Sequence, residues 1–325
     1  MFYPLKFNHL YIEKIWGGTR LNNYRDDLPP GKIGESWDVS AQSENQSVVK
    51  NGKLAGKTLG QLVEMYPVQL LGDAVTAEEF PLLLKIIDAQ AQLSIQVHPD
   101  DEYAANYPGE AGKTEAWYII DAEEDAYLII GTSDCSESEF KKAIQNEEIS
   151  EYVNKVKVKK GDVFFIKAGL LHAIGPGIML AEIQQSSDTT YRVYDYGRGR
   201  ELHLGKAMDV IDFKLQARKR QGLKIANSDY DYSYYCLNDK FALDILDIRT
   251  EYKASGDRDR FYIMTVVEGK GKISWANGEL DLLETDSVLI PAYADEFTIS
   301  GALKIMKSYV PDLEKNRKNI LQVIE

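Results

Sequence analysis

The sequence predicts a mainly β protein made of two related β-barrels with a few helices between the strands. Short β-branched and aromatic runs recur at 127–130, 163–166, 178–183, 191–194, 261–267 and 287–290, separated by Gly, Asn and Asp turns. A chain of 325 residues is too long for one small core, so two domains are expected. One strand–turn unit also occurs twice.

That unit is Gly161-Asp162 followed by the apolar run 163–166, a Lys167-Ala168 turn and a closing His172. Its second copy is Thr285-Asp286, the run 287–290, a Pro291-Ala292 turn and a closing Glu296. The repeat divides the chain at about residue 220, into domains 1–220 and 221–325. Glu296 stands at the position of His172, and Tyr293 at that of Gly169, so only the first copy has the makings of a metal site. Helices are expected at 59–66 and 205–218. A helical insertion in the first half, at 136–153, opens on Ser136 three residues before Glu139, the pattern of a capping box.

Hydrophobic residues make up 44% and charged residues 27%, ordinary for a folded protein. No run approaches eighteen apolar residues, so no membrane span is expected. The N-terminus lacks a charged-then-apolar signal pattern, making the cytoplasm the expected location. Cys135 and Cys236 have no metal-ligand spacing and read as free thiols in a reducing compartment. The net charge of −13, with no Lys/Arg-rich face, argues against nucleic acid. A few cations in a cleft still admit a small anionic substrate. Monomer or weak homo-oligomer is the expected assembly.

There are four histidines: His9, His98, His172 and His203. Ser94, Gln96 and His98 alternate onto one face of an extended run that Pro99 ends. Lys113, Glu115 and Trp117 share a face of the next run, where an inward carboxylate is costly unless paired or bound to metal. With His172 these residues offer two imidazoles, a carboxylate and an amide oxygen, leaving one or two positions open for water or substrate. The same set suits non-haem iron, so the ligands do not choose the metal. His9 and His203 read as structural.

The neighbouring charges narrow the chemistry. Lys113 shares the Glu115 face, and a hairpin about Ser187 sets Glu182 directly opposite Arg192. A metal with these groups suits proton transfer between C1 and C2 of a sugar through an enediol. Such a reaction needs a Lewis acid at the oxygens, an acid/base group at the carbons and cations for a phosphate tail. Which residue takes the proton stays open.

With these residues in place, the chain resembles the type I mannose-6-phosphate isomerases (phosphomannose isomerases) of the cupin superfamily, in their short bacterial form. The resemblance runs through Lys14-Ile15-Trp16-Gly17-Gly18, Gly34-Glu35-Ser36-Trp37, and the segments 93–101, 113–117, 161–172 and 182–192. It implies a double cupin, two jelly-roll β-barrels, and one zinc ion per chain bound by Gln96, His98, Glu115 and His172. Other divalent metals remain admissible. The resemblance further implies Arg192 as the principal catalytic residue with Lys113 and Glu182 beside it. Ser94 and Lys113 fall at the phosphate end, with Asp188 near them. The implied reaction interconverts mannose-6-phosphate and fructose-6-phosphate, a step of carbohydrate metabolism that feeds nucleotide-sugar synthesis.

Lys167 stands where the general cupin pattern has Pro. Gln96 stands where many cupins have His, which agrees with the isomerases. The long helical insert of larger members is reduced to 136–153, so phosphate contacts from that insert do not carry over. Two other readings keep the same pocket: a non-catalytic sugar-phosphate-binding cupin and an iron-dependent oxygenase. Intact Lys113, Glu182 and Arg192 speak against the first, and oxygen uptake with retained iron is the mark of the second.

Overall fold

Strands form at the short β-branched and aromatic runs Tyr127–Thr132, Val163–Ile166, Ile178–Gln185, Tyr191–Tyr194 and Ser287–Ile290; only Tyr191–Tyr194 alternates, the others being buried on nearly every residue. The run expected at 261–267 instead starts at Tyr262 and continues for 14 residues to Trp275. A computed structural model describes residues 2–76 and 78–324. Its contacts group the chain into two compact units, Tyr11–Glu35 with Ile87–Lys219, and Met1–Leu10 with Ser36–Ile86 and Arg220–Glu325. This grouping and the expected division share the boundary near residue 220 and differ over residues 1–10 and 36–86.

In the unit that includes Ile87–Lys219, one sheet has the order Val153–Lys157, Tyr127–Thr132, His172–Ile174, Ile95–Val97, Tyr191–Tyr194. A second carries Val163–Ile166, Glu115–Ala122 and Ile178–Gln185 side by side. Trp117, Ile119, Leu128, Ile130, Phe164 and Ile166 belong to one apolar cluster drawn from both sheets. Burying each such side chain contributes roughly 1.5–3 kcal/mol. The opposite face of the first sheet sends Ile95, Val97, Leu171, Ala173, Tyr191 and Val193 into another cluster, with Phe140 and Ile149. Because side chains alternate, the residues between them, Gln96, His172 and Arg192, turn to the interior.

The other unit is built on a nine-stranded sheet. Its main path is Leu5–Lys6, Ser287–Ile290, Tyr262–Trp275, Phe297–Tyr309, Ala242–Ile248, Tyr230–Leu237 and Leu223–Ala226. Its core includes Leu246, Val266, Ile273, Val288, Phe297 and Ile305. None of these sheets closes on itself, as in an open jelly roll.

The repeat is present bond for bond. Asp162 N donates to Lys159 O and Asp286 N to Leu283 O, while each Asp carboxylate accepts from the N–H of that same residue. Ile119 N donates to Asp162 O and Val266 N to Asp286 O; Gly161 N donates to Ile119 O and Thr285 N to Val266 O. Both turns need a left-handed residue, supplied by Gly161 (φ 87°) and by Thr285 (φ 74°).

Two helices are shorter than expected. The 136–153 segment has its capping box, but the helix spans Glu137–Gln145. Glu147 at φ 62° ends it, with Glu148 N bonded to Ala143 O and Glu147 N to Ile144 O. A short turn follows, then the strand Val153–Lys157. The 205–218 helix spans Leu204–Val210, because Asp212 N turns away to Gly169 O.

Candidate metal centre

Three adjacent strands set Arg192, Gln96 and His172 in one cross-strand row, with Gln96 opposite both others. His98 follows at the end of Ile95–Val97, its carbonyl accepting from Gly169 N. The facing sheet contributes Glu115, with Gln184 directly opposite it and Trp117 opposite Glu182. The tetrad expected from sequence therefore gathers in one interior.

His98, Glu115 and His172 are all buried, and their ligand atoms lie within 4.8 Å of one another. Glu115 sits between the rings, Oε2 3.5 Å from His98 Nε2 and Oε1 3.4 Å from His172 Nε2. Each ring is held from behind: His98 Nδ1 donates to Thr189 O and His172 Nδ1 to Leu170 O, both at 2.9 Å. A carbonyl only accepts, so the Nδ1 atoms carry the protons and the Nε2 lone pairs of the neutral rings face Glu115. Burial pushes His172 down to about 4, favouring that neutral form. Two lone pairs and a carboxylate converging in a buried cluster fit a divalent cation by charge and donor type.

Gln96 stands beside this trio with its amide nitrogen 3.4 Å from His172 Nε2, while its oxygen accepts from Ser94 Oγ at 3.2 Å. Lys113 Nζ pairs with Glu115 Oε2 at 3.0 Å. Burial works to lower the Lys113 ammonium, but Glu115, Glu182 and Asp188 outweigh it and hold it above the usual lysine range.

The expected pairing of Glu182 with Arg192 across a hairpin does not occur. Residues 178–185 belong to one sheet and 191–194 to the other. The Gln184 amide donates to the carbonyls of Gln185 and Ser187, and Ser187 Oγ donates to Ala111 O, holding an open crossover in place of a tight turn. Glu182 instead accepts from Trp117 Nε1 at 2.7 Å. Arg192 donates to Glu201 O at 2.7 Å, and its backbone exchanges bonds with His203 through the ring Nδ1 and the main chain. Burial and the nearby Arg200 push Arg192 below the usual arginine range.

Gln184, Arg198 and Arg200 support the site and had no role in the sequence expectations, and Trp117, placed there on the Glu115 face, had none beyond that. Arg198 and Arg200 both grip Asp195. The Gly197-Arg198-Gly199-Arg200 run just past Arg192 was the available signal. Asp188 lies exposed in the crossover.

An open jelly-roll pair with a buried two-histidine, one-carboxylate cluster in one half defines a double cupin with a candidate metal centre. Residues 5–142 match the model of the phosphomannose isomerase type I catalytic domain, and 232–310 that of the mannose-6-phosphate isomerase cupin domain. The probable mannose-6-phosphate isomerase GmuF of Bacillus subtilis is 37% identical over 324 residues, covering 95% of this chain and 100% of GmuF. A crystal structure of the mannose 6-phosphate isomerase from Bacillus subtilis superposes with a TM-score of 0.88 at 34% identity, covering 94% and 99% of the two chains. A zinc-bound mannose 6-phosphate isomerase shares the fold at 18% identity and a TM-score of 0.75, over 94% and 99%. The chain belongs to the type I phosphomannose isomerases and is an enzyme of that family.

Proposed function

We propose that the chain interconverts mannose-6-phosphate and fructose-6-phosphate at this centre, with one zinc ion held by His98, Glu115, His172 and Gln96. The carrying observation is the pair of imidazoles whose Nδ1–H groups are tied to backbone carbonyls, leaving both Nε2 atoms directed at Glu115. Gln96 joins the set once its amide is rotated to turn the oxygen toward His172, a rotation that distinguishes two near-isosteric groups. A cation bound there supplies a Lewis acid at the sugar oxygens.

The reaction moves a proton from C2 to C1 through an enediol, while O2 gives up a proton and O1 gains one, with no net redox change. Lys113 offers a buried ammonium, held charged by its neighbours, to donate to a sugar oxygen as negative charge develops. Glu182, oriented by Trp117, supplies a carboxylate for proton transfer. Arg192, as principal catalytic residue, brings a guanidinium beside the Gln96–His172 row to stabilise the enediol oxygens. Ser94 and Lys113 receive the phosphate end, and Asp188 acts there through the charge of Lys113. Residues 1–220 carry the whole of this machinery and 221–325 none of it.

Among the described residues no helix is long and apolar enough to cross a membrane. We assign the enzyme to the cytoplasm and to carbohydrate metabolism, as a monomer or weak homo-oligomer acting on a small sugar phosphate. The test is conversion of mannose-6-phosphate to fructose-6-phosphate before and after chelation, with zinc restored. Chelator-sensitive turnover that zinc restores is expected. Absence of turnover with every divalent metal tried overturns the assignment.

A further inference from the structure

A second interior pocket lies in the sheet that carries no metal ligands. It is a cavity of about 150 Å³ lined by Tyr232, Tyr234, Asp257, Arg260, Tyr262, Lys307 and Tyr309, with Lys315, Asn316 and Asn319 of the helix Leu313–Ile324 at its rim. Lys307 and Arg260 are only 7% and 3% exposed. Two cations so enclosed are costly unless something answers their charge.

Arg260 is answered. Its side chain donates to Asn316 Oδ1 at 2.8 Å and pairs with Asp257 at 3.2 Å. Asp257 in turn accepts from the Tyr262 hydroxyl. For Lys307, no carboxylate among the described residues lies within ion-pair distance, and nothing there accepts a hydrogen bond from it. Its surroundings are ring faces, with Nζ 3.8 Å from the centroid of Tyr262 and 5.6 Å from those of Tyr232 and Tyr309. Asp244, its cross-strand neighbour, is taken up by the Tyr232 hydroxyl at 2.6 Å. Ring faces offset the charge of an ammonium but leave its N–H donors without acceptors.

The pocket therefore has donors to spare. Lys307 contributes an ammonium and Asn319 an amide, while the Asp244 and Asp257 carboxylates attract Lys307 from a distance without bonding to it. Its volume leaves room for one tetrahedral oxyanion beside Lys307, and its rim opens toward solvent at Asn319. We propose that this cavity is a second ligand site that binds a phosphate group, with Lys307 as its central cation. The group is either free phosphate or the head of a phosphorylated metabolite whose remainder leaves through the rim at Asn319. Burial pushes the Lys307 ammonium down to about 8, which leaves it charged at neutral pH.

Calorimetry of the zinc-loaded enzyme with inorganic phosphate, and separately with glycerol phosphate, tests this against Lys307→Met and Asn319→Trp. Asn319 is exposed on the last helix, so that variant fills the rim without touching the core. The wild type should show a phosphate isotherm that both variants weaken by about tenfold or more. Isomerase kcat/KM, and any inhibition of the isomerase by phosphate, should be the same in all three. Binding of both probes identifies the phosphate group alone as the ligand. Binding of glycerol phosphate only identifies a phosphorylated metabolite. No isotherm with either probe, or one that survives in Asn319→Trp, overturns the proposal.

Discussion

Among the site residues, one histidine and one arginine separate metal binding from chemistry. His98→Ala removes one of three converging donors, so metal content and activity should fall together in metal analysis and steady-state kinetics. Arg192 is not among those donors. Arg192→Ala should keep the metal and lose about 10²–10³-fold in kcat; unaltered turnover would remove Arg192 from the catalytic set. Asp244 bears on stability instead. Burial lifts its carboxyl to about 6, against hydrogen bonding from Tyr232 and attraction to Lys307. Between about pH 4 and about pH 6 the folded state then keeps a proton that the unfolded state has lost. The stability contributed by this group is present below about pH 4 and lost as pH rises through about 6. Asp244→Asn keeps the neutral form throughout, so its stability relative to wild type should grow by on the order of 3 kcal/mol between about pH 4 and about pH 8 in urea unfolding. A constant difference across that range would mean that Asp244 titrates as an ordinary carboxyl.

Among the elements, what could be read from the sequence depended on whether the governing interaction was local. Strand alternation is local, so Gln96 and Glu115 were recognisable as sharing faces with His98 and Lys113, and Pro99 marked where His98 leaves its strand; His172, read as closing a turn, instead opens the strand His172–Ile174. The Ser136 cap is equally local, and Ser136→Ala should cost about 1 kcal/mol of stability with activity unchanged, checked by thermal unfolding and assay. The partner of Glu182 was not local. It depended on whether the chain after Ser187 returned to its own sheet or crossed to the other, a choice made by the Gln184 amide and by Ala111, far away in sequence. Helix ends were hidden for the same reason: Gly169 O draws Asp212 N away from the helix, a contact that no periodicity reveals. The resulting partner of Glu182 makes a further prediction. Trp117→Phe keeps an aromatic ring, though a smaller one, and removes the hydrogen bond that orients Glu182. It should lower kcat about tenfold, the equivalent of a bond to a charged group, while KM and metal content stay level. Equal losses in kcat and metal would show a general collapse of the pocket.

For the whole molecule, the division by chemistry and the division by packing do not coincide. The candidate metal ligands all lie before residue 220, yet residues 1–10 and 36–86 are packed in the same unit as 220–325. Leu5 pairs with Leu289, and Lys6 bonds the Asp286 carboxylate at 2.7 Å. Buried Asp38 accepts from Ser287 Oγ at 3.0 Å, and Phe80 packs on Phe261 with ring centroids 4.6 Å apart. The repeat alone suggested a cut near residue 220, because a sequence repeat reports the ancestry of a segment and not which strands it ends up beside. A chain ending at Lys219 would strip these partners from Leu5, Asp38 and Phe80. Each large apolar side chain uncovered costs roughly 1.5–3 kcal/mol, and Asp38 would lose the Ser287 hydrogen bond, worth about 1.5–3 kcal/mol to a charged group. Against a typical net stability of about 5–15 kcal/mol, those losses are enough to abolish cooperative folding. The 1–219 fragment should therefore give no sharp urea transition and bind no zinc, although it retains every candidate ligand. A cooperative transition with zinc bound would instead make the first half an autonomous enzyme, and the packing of residues 1–10 and 36–86 incidental to it.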